Sequence, residues 1–165
     1  MAEVILGARL AEHGIDATVS SVGTLGWAER GATPLAVEVM GEMGLDLGAH
    51  RSRRIEPGHL DVDLVLAMTR DHAGAAIARD QTIRSCVFLP AELLRLLRGV
   101  VGEGVPVEKN VTERIRVLGN ARTSQILGRA TDEVPDPAGE SIEVYRATAA
   151  RLDRELTALA AALAA

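Results

Sequence analysis

Apolar positions along this chain alternate between helical spacing and short unbroken runs. Residues 2–13 carry Ile5, Ala8 and Leu10 at helical positions and stop at Gly14, which predicts an opening helix. Residues 17–22, Ala-Thr-Val-Ser-Ser-Val, are rich in β-branched side chains and end at Gly23, which predicts a strand. Thr33-Pro34 supplies a capping hydroxyl and a proline whose missing N–H costs nothing at a helix start. Ala36, Val39, Met40 and Met43 then recur at helical spacing up to Gly44, a C-terminal stop. Residues 63–68 are apolar without alternation, as in a strand buried on both faces. Thr69 can cap a helix over 70–79, residues 86–89 form the next short strand, and Pro90 opens a Leu-rich helix to Gly99.

The last third repeats the helical signal. Val107, Val111, Ile115 and Leu118 mark an amphipathic helix, and 120–140 reads as a loop or loosely helical connection. Ser141 can cap a long final helix on which Tyr145, Ala149, Leu152, Leu156, Leu159 and Leu163 form one apolar stripe. Such a stripe can seed a coiled coil, but a terminal helix more often packs on its own domain, and that is the expectation here. No repeat and no linker interrupts the chain. The alternation predicts one α/β domain over residues 1–165 built on a parallel sheet.

Composition narrows the chemistry. The chain has 165 residues, 47% of them hydrophobic, but its aromatic side chains are only Trp27, Phe88 and Tyr145, so the core must be aliphatic. A net charge of −5 argues against a general nucleic-acid binder, which needs a basic face for counterion release. The single cysteine, Cys86, cannot form an internal disulfide and fits a reducing compartment. No apolar run reaches the ~20 residues of a membrane span. The start lacks the charged and apolar regions of a signal peptide, so a cytoplasmic location is expected. Neither a cofactor nor a metal site is predicted.

Two motifs resemble a known family. Met1-Ala2-Glu3, read as the first turn of a helix, and Thr131-Asp132-Glu133-Val134-Pro135-Asp136-Pro137 are similar to segments of the low-molecular-weight protein tyrosine phosphatases. In that family a strand runs into a Cys-x5-Arg-Ser-Pro loop, followed by x-Ala-Glu on the opening helix. The resemblance implies a three-layer α/β fold with a four-stranded parallel sheet in the order 2-1-3-4, flanked by helices. It also implies that the central first strand, the nucleophilic cysteine and the phosphate loop precede residue 1, so that the chain is N-terminally truncated. The implied activity is hydrolysis of a phosphotyrosine protein or small aryl phosphate through a cysteinyl-phosphate, with residues 1–165 alone inactive and prone to self-association.

The resemblance also assigns roles. Asp136 of Asp136-Pro137 takes the place of the general acid that protonates the tyrosine oxygen and then deprotonates the attacking water. That task needs a carboxyl on a loop able to approach the phosphate. The following proline fixes its own φ and biases Asp136 away from helix, although Asp-Pro alone is mostly turn punctuation. Asp132 and Glu133 are the nearest alternative carboxylates. Trp27, in a glycine-rich loop, takes the place of the aromatic wall of the phosphotyrosine cleft, where an indole face suits a phenyl ring. Its plainer role is a hydrophobic anchor for that loop. Ser21 and His50 take the places of residues that support the phosphate loop, and the plainer alternative is local backbone bonding.

Other features point elsewhere or nowhere. Arg51, Arg53 and Arg54 read as a solvated loop paired with carboxylates. Cys86, beside Val87 and Phe88, reads as a buried inert thiol. A thioredoxin-coupled arsenate reductase of the same fold would need further cysteines for its disulfide relay. A non-catalytic module that binds a partner through the cleft at Trp27 is the alternative of another class. Ala138-Gly139 stand where such phosphatases often carry tyrosines after the Asp-Pro.

Overall fold

The computed structural model describes residues 1–25, 29–102, 110–122 and 127–165, and the side chains of 100–102 are outside that description. Two compact units are present: Met1–Ile55 with Val134–Ala165, and Glu56–Glu133.

In the first unit, α1 (Ala2–Glu12), α2 (Pro34–Glu42) and α6 (Ile142–Ala164) pack together, α6 lying against both of the others. The predicted stripe of α6, from Tyr145 to Leu163, is buried along its length and meets Ile5 and Leu10 of α1 and Ala36, Val39 and Met40 of α2 in the same core. Gly14 and Gly44 end α1 and α2 at φ +70° and +74°, a backbone region that side chains with a Cβ disfavour. The Ile15 N–H then returns to Leu10 O and the Leu45 N–H to Met40 O, satisfying carbonyls that the helix ends leave open. Thr33 caps α2 by accepting the Ala36 N–H at 3.3 Å, and its hydroxyl also donates to the buried Tyr145 hydroxyl at 3.1 Å. Ser141 occupies the cap position of α6, but its side chain makes no bond to the helix backbone.

In the second unit, β1 (Val65–Leu66) and β2 (Val87–Phe88) form a two-stranded parallel sheet, with Val65 beside Val87 and Leu66 beside Phe88. Thr69 caps α3 (Arg70–Arg79) as the sequence predicts. A 3-10 segment, Gln81–Cys86, feeds β2, and α4 (Pro90–Gly102) follows it. The helix expected from Val107 begins, within the described residues, as α5 (Val111–Asn120), capped by Asn110. The Arg122 guanidinium stacks 4.0 Å over the Phe88 ring and donates to Val87 O at 2.7 Å, closing the end of β2.

Among the described residues the sheet has two strands, fewer than the three expected within residues 1–165. Among the described residues, Ala17–Val22 belongs to no strand, and only Gly23 forms a parallel bridge, to Arg54. β-Branched side chains favour a strand but cannot supply its hydrogen-bonded neighbour, so pattern alone overstates pairing.

Candidate active site

Loop stitching builds one end of the first unit. The Gly23 N–H donates to Arg53 O at 2.8 Å, and Gly23 O accepts the Ile55 N–H at 3.0 Å. Further along, Glu29 N–H donates to Ser52 O at 2.7 Å and Ser52 N–H to Arg30 O at 2.8 Å. These bonds carry the segment after Ser21 alongside the segment after His50. Both predicted supporting residues thereby reach one carboxylate, that of Glu3 in the first turn of α1. The Ser21 hydroxyl donates to Glu3 Oε2 at 2.5 Å, and His50 Nδ1 lies 3.4 Å from the same oxygen. All three side chains are half-buried.

This Ser-Glu-His arrangement is not a nucleophilic triad, because the serine proton points at the carboxylate and not at the imidazole. Its chemistry is positional: one carboxylate fixes a hydroxyl rotor and an imidazole, and a negative charge at a helix start suits the dipole. In the sequence Glu3 stands out only as part of the Met1-Ala2-Glu3 motif. Its first-turn position on an apolar helix was the signal available for a larger role.

Asp136 is exposed in a tight turn. Its Oδ1 accepts the Ala138 N–H at 3.0 Å, Glu140 N–H closes onto Pro137 O at 3.0 Å, and Pro137 itself is buried. The two prolines limit the backbone on either side of the aspartate. One carboxylate oxygen is thus committed to the turn, on a loop anchored by a buried proline. Trp27 lies outside the described residues.

The alternative carboxylates sit differently in the second unit. Asp132 is buried and takes a bidentate bond from Arg95, at 2.8 and 3.0 Å, plus the Arg129 N–H at 2.7 Å. Burial alone would raise its pKa, but the bonds from Arg95 and Arg129 outweigh it and hold the carboxyl below its ordinary range. Glu133 accepts from Arg70 through Nε at 2.8 Å and N–H at 3.1 Å, which also lowers its pKa. Both groups are held as anions, a poor state for a proton donor.

Cys86 is buried, its thiol 3.1 Å from Ile83 O, and burial pushes its pKa up. It remains a protonated thiol where a nucleophile must be a thiolate. The arginine loop departs from expectation. Arg51 donates to Gly48 O and His50 O, at 3.2 and 2.7 Å, and Arg53 donates to Ser21 O at 3.2 Å. Nearby carbonyls, not carboxylates, hold these guanidinium groups. Among the described residues no cluster of His, Cys, Asp and Glu is suited to a metal ion, and no helix is long and apolar enough to cross a membrane.

Comparison with known proteins points to one phosphatase family. The family described as "Low molecular weight phosphotyrosine protein phosphatase" matches residues 1–95. No curated protein matches. Among solved structures, the chain is similar to a low molecular weight protein tyrosine phosphatase from Bacillus subtilis, with 28% identity, 98% of this chain and 86% of that one covered, and a TM-score of 0.70. It is similar to another from T. tengcongensis, with 26% identity, 96% and 86% covered, and a TM-score of 0.67. A third similar structure is YwlE arginine phosphatase with a phosphorylated active-site serine, at 26% identity, 98% and 84% covered, and a TM-score of 0.68.

Proposed function

Because this chain belongs to the low-molecular-weight phosphotyrosine protein phosphatase family, we propose that it contributes the acid loop and supporting shell of a phosphotyrosine phosphatase. The observation that carries this reading is the sorting of carboxylates between Thr131 and Pro137. Asp132 and Glu133 are consumed by arginines, whereas among the described residues Asp136 bonds only a main-chain N–H of its own exposed turn.

In the first step a cysteine thiolate attacks phosphorus, the S–P bond forms and the P–O bond to the aryl group breaks. Asp136 passes its proton to the departing phenolic oxygen. In the second step the Asp136 carboxylate takes a proton from water as that water attacks phosphorus and the S–P bond breaks. Glu3, Ser21 and His50 hold the shape of the phosphate-binding end. Cys86 does not serve as the thiol, being buried and protonated. In the family's chemistry the nucleophile and phosphate cradle come from a Cys-x5-Arg-Ser-Pro loop, whose strand takes the central place in a sheet of order 2-1-3-4. With Cys86 as the one thiol of residues 1–165, and that thiol buried and protonated, these residues alone turn over no aryl phosphate. The enzyme acts as a cytoplasmic protein of one domain.

An arginine-directed version of the same chemistry is the second reading, favoured by the likeness to YwlE arginine phosphatase at 26% identity. The two separate on substrate: phosphotyrosine and phosphoarginine peptides assayed side by side give one clear preference. The acid is tested in an upstream-extended protein, made by joining the family's strand and Cys-x5-Arg-Ser-Pro loop ahead of Met1. Asp136→Asn should slow phenyl phosphate turnover by roughly 10²–10⁴-fold and a strongly activated nitrophenyl phosphate far less, because only the poor leaving group needs the proton. Equal losses on both substrates, or none, would remove Asp136 from the role.

A further inference from the structure

Four exposed arginines share the stitched loops beside the Ser21–Glu3–His50 cluster: Arg30, Arg51, Arg53 and Arg54. In a chain of net charge −5 this is a local reversal of sign. Among the described residues, Arg51, Arg53 and Arg54 pair with no carboxylate, although ion pairs elsewhere join Arg9, Arg70, Arg95, Arg146 and Arg151 to acids. The loops are also held in place. The Arg30 N–H donates to Ser52 Oγ at 3.1 Å, Arg51 Nη1 lies 3.9 Å from where a Cβ on Gly31 would stand, and Arg53 grips Ser21 O. Guanidinium groups on a fixed backbone lose less freedom on binding than those on a free loop.

We propose that this arginine surface docks an acidic stretch flanking the phosphorylated residue of a protein substrate. The proposal rests on the phosphatase reading of the same site and names its substrate class. Arg53 ties the surface to Ser21 directly, and Arg51 follows His50 in the chain, so a peptide whose phosphate lies at the supporting cluster lays its neighbours on these arginines. Each guanidinium matches a carboxylate fork. A short acidic peptide is favoured over nucleic acid, because a long polyanion would also meet the acidic remainder of the chain.

The test needs no turnover. Binding of a labelled, unphosphorylated peptide with acidic residues on both sides of a central tyrosine is followed by fluorescence anisotropy with the 165-residue chain. A neutral peptide of equal length and a single-stranded oligonucleotide serve as comparisons. The acidic peptide should bind, weaken with added salt, and lose about tenfold in affinity in the triple variant Arg51→Ser, Arg53→Ser, Arg54→Ser. Arg54→Glu leaves the bonds of Arg51 and Arg53 in place, and so reports on the surface even where the triple variant misfolds. It should lose about fivefold by reversing one charge. A control removing three exposed arginines carried by helices and not by these loops, Arg79, Arg98 and Arg154, should change affinity little. Equal loss in the control, no loss in the loop variants, no preference for the acidic over the neutral peptide, or tighter binding of the oligonucleotide would each overturn the proposal. Failure of the upstream-extended protein to cleave a phosphopeptide would instead overturn the phosphatase reading and leave this binding result standing.

Discussion

Gly119, near the end of α5, offers a stringent test of the packing in the second unit. A Cβ at this position would stand 1.8 Å from the Ser85 carbonyl oxygen, 2.5 Å from its carbon and 2.7 Å from its Cα. These are backbone atoms of the 3-10 segment against which α5 packs, so no side chain can rotate away. Reaching even 3.0 Å requires α5 and that segment to part by about 1.2 Å. Ile115 and Leu118, both buried on α5, would share the displacement, and a gap near 1 Å forfeits a quarter to a half of each van der Waals contact. Overpacking of this kind costs about 1–3 kcal/mol, and backbone on backbone belongs at the upper end. Against it stands the helix propensity gained on replacing Gly, about 1 kcal/mol. Gly119→Ala should therefore lose about 2 kcal/mol net. Gly74→Ala, in the exposed middle of α3 where a Cβ meets nothing within 4 Å, should gain about 0.5–1 kcal/mol. In urea, followed by far-ultraviolet circular dichroism, the two midpoints should differ by about 1 M or more. A Gly119→Ala midpoint at or above wild type would show that α5 does not approach Ser85 this closely.

Arg95→Leu should destabilise the chain by about 2–4 kcal/mol at pH 7, because it strands the buried Asp132 carboxylate. The folded pKa of Asp132 is depressed, so the pair's contribution is present above the unfolded value near 3.9 and fades as pH falls through the lower folded one; a wild-type-to-variant gap that stays constant into acid would refute it. Native Cys86 should react slowly with an aromatic disulfide reagent at pH 8 and quickly in urea, since burial raises its pKa; equal rates would mean an accessible thiolate.

Helices were more legible in the sequence than strands. Gly14, Gly44, Thr33 and Thr69 act locally: each sets a dihedral or bonds an N–H within a few residues, and each appears in the structure where the pattern places it. The α6 stripe is similarly self-contained, and its burial against α1 and α2 follows the expected packing on its own unit. Strands depend on partners far along the chain. Residues 63–68 and 86–89 both shorten to two paired residues, and Ala17–Val22 forms no ladder among the described residues. Ser141 shows the limit even for local signals. A serine at a cap position predicts a cap, but its hydroxyl bonds the Glu143 side chain and helps to lower that carboxyl's pKa.

The site divides along the same line. Asp136-Pro137 was visible because proline constrains its neighbour in any context, and the turn from Asp136 to Ala138 is built within three residues. Glu3 was not, because its significance lies in two partners 18 and 47 positions away that only the folded loops deliver. Nor could residue type separate Asp132, Glu133 and Asp136, three carboxylates in one short segment. The arginines that neutralise the first two are 37 and 63 residues distant. An acid that must give up a proton cannot be one whose anion is already locked by a guanidinium, since the same bond that stabilises the charge lowers the tendency to hold the proton. Removing Arg70 or Arg95 would relieve that lock without placing either carboxylate in the turn that holds Asp136. In the upstream-extended protein, Asp132→Asn and Glu133→Gln should therefore leave the ratio of phenyl to nitrophenyl phosphate turnover unchanged. A shift of that ratio matching the one expected for Asp136→Asn would mean that the proton comes from a group the structure shows as an anion.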